Sequence, residues 1–102
     1  MEELLLLSKA FSDMNRMNIV TLIYCEKELC VCEISDTLNL SQPLISRHLK
    51  QLKQANILES YQDGKWIIYT ITSRPSKILE AYLTELKKLE HRLDSKVVCS
   101  IR

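Results

Sequence analysis

The sequence predicts a mainly α fold with one small β-hairpin, and three observations carry that reading. Only one Gly and two Pro occur in 102 residues, which leaves few turns and favours helices joined by tight connections. Apolar residues recur at helical spacing through most of the chain. The lone glycine stands in Asp63-Gly64, between two strand-like runs, and Asp-Gly is a strong hairpin signal.

Length and composition set the frame. Hydrophobic residues make up 46% and charged residues 26%, ordinary for a soluble globular chain, and a single domain over 1–102 is expected. The apolar start Leu4-Leu5-Leu6-Leu7 follows Glu2 and Glu3, an acidic beginning unlike a secretory signal. No run approaches membrane-spanning length. A cytoplasmic protein without membrane association is expected. In that compartment the four cysteines point to metal, metalloid or thiol chemistry rather than a disulfide framework.

Leu4 to Phe11 reads as a short first helix. Asp13 is a suitable N-cap for a second helix to about Glu26, with Met17, Val20, Ile23 and Tyr24 as its buried stripe and Cys25 on the polar side with Thr21. A third helix is expected from about Val31 to Leu38, with Ile34 and Leu38 inward. Asn39 and Leu40 make a turn, Ser41 caps a fourth helix, and Pro43 is tolerated in its first turn.

The fourth helix divides its faces. Ile45, Leu49, Leu52 and Asn56 share one side with His48 at its edge, while Arg47, Lys50 and Gln54 lie roughly 140–200° away at about 100° per residue. A short helix, a turn and a second helix with a basic outer face make a helix-turn-helix. Ile57–Tyr61 and Trp66–Thr72 then form a hairpin around Gln62-Asp63-Gly64-Lys65, with Ile67, Tyr69 and Ile71 inward. A hairpin in this place is a wing, so the expected architecture is a winged helix-turn-helix. Pro75 opens a last helix to about Val98 whose stripe of Leu79, Tyr82, Leu83, Leu86, Leu89 and Leu93, together with Leu4–Leu7, exceeds what one small core needs. A homodimer through the first and last helices is expected, matching two DNA half-sites.

Charge follows the same plan. Residues 1–40 carry seven acids and three bases, whereas residues 41–65 are net +2 and residues 66–102 net +3. Double-stranded DNA is the partner such a basic second half favours. Arg47 is suited to a bidentate base contact, and Ser41, Gln42, Pro43 and Ser46 lie where base edges or phosphates pass. Lys50, Lys53 and Lys65 at the wing tip suit phosphates, although a solvated surface charge is the plain alternative for each lysine.

Cys30-Val31-Cys32 lies eleven residues ahead of Ser41. Two thiols one residue apart suit a soft metal or metalloid. In a regular helix such positions are roughly 200° apart. Both can grip one ion only at a ragged helix start or if binding unwinds that turn. Either way the element bracing the recognition helix would be disturbed, which makes the pair a candidate switch. Two small core cysteines are the plain alternative.

Three blocks together resemble the ArsR/SmtB family of winged-helix repressors, and within it the arsenic-responsive members. Glu28-Leu29-Cys30-Val31-Cys32-Glu33-Ile34 is similar to the family's ELCVCDL arsenic motif. Ser41-Gln42-Pro43-Leu44-Ile45-Ser46-Arg47-His48-Leu49 is similar to its SQPxISRHL recognition helix, and Gly64-Lys65-Trp66-Ile67-Ile68-Tyr69 to its GKWxxY wing. The resemblance implies a homodimeric repressor that holds operator DNA when empty and releases it when arsenite or antimonite binds Cys30 and Cys32. No organic cofactor is implied.

One position departs from the pattern. Ser35 stands where the best-known pattern has a third cysteine, so a third thiolate would come from Cys25 or Cys99, or binding would use two thiolates. His91 with Asp94 leaves the zinc-sensing set incomplete, and no cysteine precedes position 25 as cadmium-sensing members require. A thiol redox regulator, or a cytosolic soft-metal-binding thiol protein without DNA function, are the competing readings. No phosphate loop, carboxylate pair or nucleophile–base set suggests an enzyme.

Overall fold

A computed structural model describes residues 2–88. Leu89, His91, Leu93, Asp94, Val98 and Cys99, all named above, lie outside the described residues. The element order is α1 (Glu2–Ala10), α2 (Met14–Glu26), β1 (Glu28–Cys30), α3 (Val31–Leu38), α4 (Gln42–Gln54), β2 (Leu58–Asp63), β3 (Trp66–Ile71) and α5 (Lys77–Lys87). The winged helix-turn-helix expected from sequence is present, with one addition. The short strand β1 joins the hairpin in an antiparallel sheet of order β1-β3-β2.

Helix α2 is the axis of the fold. Asp13 caps it by accepting from the Arg16 N–H at 3.1 Å. The expected stripe is too narrow: Ile19, Val20, Thr21, Leu22 and Ile23 are all buried, while Met17 and Tyr24 are half-buried. The cause is packing on several sides, since α2 contacts α3, α4, α5 and the sheet. Thr21 tolerates burial because its hydroxyl donates to the Met17 carbonyl at 2.7 Å.

Helix α4 ends earlier than its apolar spacing suggests. Asn56 is not on the buried stripe; it is exposed, with φ of +61°. Its N–H donates to the Lys53 carbonyl, and the Ile57 N–H donates back to Leu52, the two bonds of a Schellman helix end. Asn is one of the few side chains that tolerates this left-handed position.

The hairpin turn is tighter than expected. Asp63 pairs with Trp66, so the loop is Gly64-Lys65 alone, and Gly64 supplies the positive φ of +63° that a two-residue turn of this twist requires. Ile68, rather than Ile67, is the fully buried residue of β3, and Ile67 is 42% exposed. Ile67 shares a face with Tyr69 and Ile71, which pack on the main core, but it lies nearer the wing tip, beyond the core's edge. Ile68 points to the opposite face.

Ser76 caps α5, accepting from the Leu79 N–H at 3.1 Å; Pro75 precedes the cap rather than opening the helix. Leu79, Leu83 and Leu86 are consumed by this chain's own core, and Tyr82 stacks on Phe11 with ring centroids 4.5 Å apart. Among the described residues the surplus apolar surface lies mainly on α1, where Leu4, Leu5 and Leu6 are 45%, 65% and 47% exposed while Leu7 is buried. Among the described residues no helix is long and apolar enough to cross a membrane.

Candidate functional site

The two clustered cysteines stand at the junction of β1 and α3. Cys30 is both the last residue of β1 and the N-cap of α3, with extended backbone angles (φ −91°, ψ 168°). Cys32 is two residues further, in the helix's first turn. The pair thus occupies a helix start, one of the two arrangements that allow thiols at this spacing to approach a common centre.

Glu33 locks that start. Its carboxylate accepts from the Cys30 N–H at 2.9 Å, and the Cys30 sulfur faces the Glu33 amide in return, a capping box with a thiol in place of the usual hydroxyl. Both residues are buried. Burial pushes the Cys30 thiol above the ordinary cysteine range; the nearby Glu33 carboxylate acts in the same sense and the Glu33 amide opposes it. Cys32 is half-buried, with its thiol 3.9 Å from Asp36 Oδ2.

The β1–β3 ladder gives Cys30 a second attachment. Cys30 pairs with Ile68, and Glu28 with Thr70. Ile68 in turn pairs with Tyr61 on β2. Alternation puts Glu28, Cys30, Ile68 and Tyr61 on one face of the sheet. There the Tyr61 hydroxyl donates to Glu28 Oε2 at 2.7 Å, spanning the central strand. The thiol region is therefore tied to the wing as well as to α3. Sequence reading missed this link because β1 is only three residues long and is defined by its partner.

Ser35, at the position of the expected third sulfur, is buried, and its hydroxyl donates to the Leu40 carbonyl in the turn. It is a brace for the helix-turn-helix rather than a ligand. Cys25 is half-buried near the end of α2. Among the described residues no group of three His, Cys, Asp or Glu side chains is gathered for a metal ion. Two thiols one residue apart are suitable donors for a soft centre, and among the described residues no third donor is gathered with them.

The residues expected to meet DNA lie on the leading end and outer side of α4 and on the wing. Ser41 caps α4, its hydroxyl accepting from the Leu44 N–H at 3.4 Å, so the exposed Ser41, Gln42 and Pro43 form the helix's leading end. Ser46, Arg47 and Lys50 are exposed on its outer side, opposite the buried Ile45, Leu49 and Leu52. Lys53 is exposed but directed to β2, its ammonium donating to Ser60 Oγ at 2.7 Å. Lys65 lies at the wing tip with its ammonium 5.5 Å from the centre of the Trp66 ring.

Residue Arg16 was not anticipated from sequence. Its side chain donates to the Lys9 and Ala10 carbonyls and to Gln51 Oε1, and it lies 3.4 Å from His48 Nδ1. His48 is buried, and its Nε2 has no hydrogen-bond partner among the described residues. His48, expected at the edge of the buried face of α4, lies within the packing rather than on the exposed side.

Comparisons with known proteins converge on one family. Residues 13–60 match the model described as bacterial regulatory protein, arsR family. The chain is 43% identical over 75 residues to the arsenic resistance transcriptional regulator ArsR1 of Pseudomonas putida, covering 74% of this chain and 59% of that protein. It is 35% identical to the arsenical resistance operon repressor of Escherichia coli K12, covering 92% of this chain and 93% of that one. Among solved structures, HlyU from Vibrio cholerae superposes with a TM-score of 0.75 at 27% identity, covering 86% of this chain and 91% of that one. These relatives are winged-helix transcriptional regulators rather than enzymes, and this chain belongs to the ArsR family of bacterial regulatory proteins.

Proposed function

We propose that the chain is a metalloid-responsive transcriptional repressor. It acts as a single domain within a homodimer, holding operator DNA when its thiols are unliganded and releasing it when Cys30 and Cys32 bind trivalent arsenic or antimony. Arg47 reads a base from the outer face of α4. Gln42 and Ser46 contact base edges or phosphates, with Ser41 and Pro43 shaping the helix end that approaches the backbone. Lys50, Lys53 and Lys65 meet phosphates.

The observation that carries the sensing part is the double role of Cys30. It caps the helix that braces α4 and is in ladder register with the wing strand. We infer that an ion shared with Cys32 draws the Cys30 sulfur away from the Glu33 amide it faces, opening that side of the capping box. The helix that braces α4 is then disturbed, so ligand and DNA favour different states. The names of the Pseudomonas and Escherichia relatives support an arsenic inducer.

The test is fluorescence anisotropy on a labelled duplex selected by the protein from a random-sequence pool. Sodium arsenite is expected to release the duplex, and a Cys30→Ser/Cys32→Ser double variant is expected to bind it but not let go. Release retained in that variant would sink the sensing role. Release by hydrogen peroxide alone, reversed by dithiothreitol, would identify a redox sensor instead.

A further inference from the structure

The Arg16 guanidinium bridges the end of α1 and the outer part of α4. Its Nε donates to the Ala10 carbonyl at 2.8 Å and Nη2 to the Lys9 carbonyl at 3.2 Å, capping the C-terminal end of α1. Its Nη1 reaches in the other direction, donating to Gln51 Oε1 at 2.8 Å and lying 3.4 Å from His48 Nδ1, both on α4. The backbone N–H of the same residue is fixed by Asp13 at the start of α2.

Around this bridge lies an open cleft of about 200 Å3 whose walls include Leu6 and Lys9 on one side and Gln51 and Gln54 on the other. Leu7 and Ala10 of α1 share the apolar core with Leu49 and Leu52 of α4, and at the open rim beside that packing the guanidinium adds a polar tie between the two helices. A cation at the end of α1 is also favoured by that helix's dipole. The planar fork of an arginine holds three acceptors at fixed angles, which a lysine ammonium does not.

We propose that Arg16 is a positioning residue for DNA binding: it sets the pose of the recognition helix α4 relative to α1, acting through Gln51. The inference rests on the DNA-binding part of the reading above and is independent of its thiol part. A two-fold protein reads two half-sites only if its recognition helices are held at the spacing of one helical turn. A bridge between α4 and the exposed leucines of α1 bears on that spacing, and hence on affinity, without itself touching DNA.

The experiment uses the full chain and a duplex selected by the wild-type protein from a random-sequence pool. Dissociation constants, thermal midpoints and the oligomeric state are measured for Arg16→Lys, Gln51→Met and the double variant. Each single change is expected to weaken binding roughly tenfold, within the range of coupled contacts. Gln51 is exposed, so Gln51→Met is expected to leave the thermal midpoint and the oligomeric state where they were. The decisive outcome is non-additivity: the double variant should bind no more weakly than Arg16→Lys alone. If the two losses multiply, Gln51 contacts DNA in its own right and the proposal fails; it fails equally if either single variant binds like wild type. Failure of the wild-type protein to enrich any duplex would remove the DNA-binding reading itself, whereas normal wild-type binding with indifferent variants removes only the role of Arg16.

Discussion

Cys30 and Ile68 stand directly opposite one another across the β1–β3 ladder, and the same Cys30 is the residue that starts α3. One side of that cysteine leads to the wing and the other to the helix supporting α4. Any chemistry at its sulfur is therefore mechanically connected to both DNA-facing elements. On the proposed reading, this connection is what lets a pair of thiols outside the basic surface govern what that surface does.

The two thiols should react in order. Cys30 is 2% exposed and its thiol is held protonated by burial, whereas Cys32 is half-buried in the first turn of α3. Alkylation requires the thiolate and access to it. Iodoacetamide under native conditions is expected to label Cys32 well before Cys30, read by peptide mass spectrometry over time. In urea the difference should vanish. Equal native rates would contradict the buried placement of Cys30.

Glu33 should behave as a cap rather than a charge. Glu33→Ala removes the acceptor for the Cys30 N–H in a buried setting and is expected to cost about 0.5–2 kcal/mol, the range for losing a helix cap. Glu33→Gln keeps a carbonyl oxygen at the same reach and should cost less. Urea denaturation distinguishes the two; equal losses would mean that the carboxylate's charge, not its hydrogen bond, matters.

Acid and base should destabilise the fold through different residues. The Arg16 N–H bonded to the Asp13 carboxylate holds Asp13 below its ordinary 3.8. A depressed acid contributes stability that is complete above the unfolded value and is lost as pH falls through the folded one. Asp13→Asn retains the cap without the titration, so the urea midpoint of this variant should fall less between about pH 5 and about pH 2.5. Glu59, lowered chiefly by the Ser73 N–H, leaves a residual acid slope in both proteins. Cys30 works in the opposite direction. Its thiol is raised from 9.0, so its contribution is complete below that value and is lost as pH rises above it, and Cys30→Ser should flatten the alkaline limb.

Most of the fold was legible because its helices announce their own ends. Asp13, Ser41 and Ser76 are side-chain caps in the structure, and the first two are readable as caps from sequence by a local rule. The basic outer face of α4 followed from spacing alone. What escaped depended on distant partners. Glu28-Leu29-Cys30 has no strand pattern of its own and is extended because β3 offers it a ladder edge. Arg16 reads as an ordinary surface cation of α2 until Gln51, 35 positions later, is seen beside it. The sequence pattern turns Ile67 inward, whereas Ile68 is the buried one, because β3 is the central strand with apolar residues on both faces.

The last prediction concerns α1, whose leucines divide between two tasks. Leu7 is 1% exposed and belongs to the core, so Leu7→Ala is expected to cost about 2–5 kcal/mol, as truncations of buried leucines do. Leu5 is 65% exposed, so among the described residues a charge there meets little that holds one chain together. Three adjacent exposed leucines at the start of a short helix nevertheless form an apolar surface that water does not favour. A second copy of the chain would cover it about a two-fold axis. If α1 forms the dimer seam, Leu5→Asp should shift sedimentation from dimer to monomer while the circular dichroism spectrum stays that of the folded chain. DNA affinity should drop with it, because each monomer then holds a single half-site. A Leu5→Asp protein that remains dimeric would place the seam elsewhere, and one that unfolds would show that Leu5 carries load within the single chain.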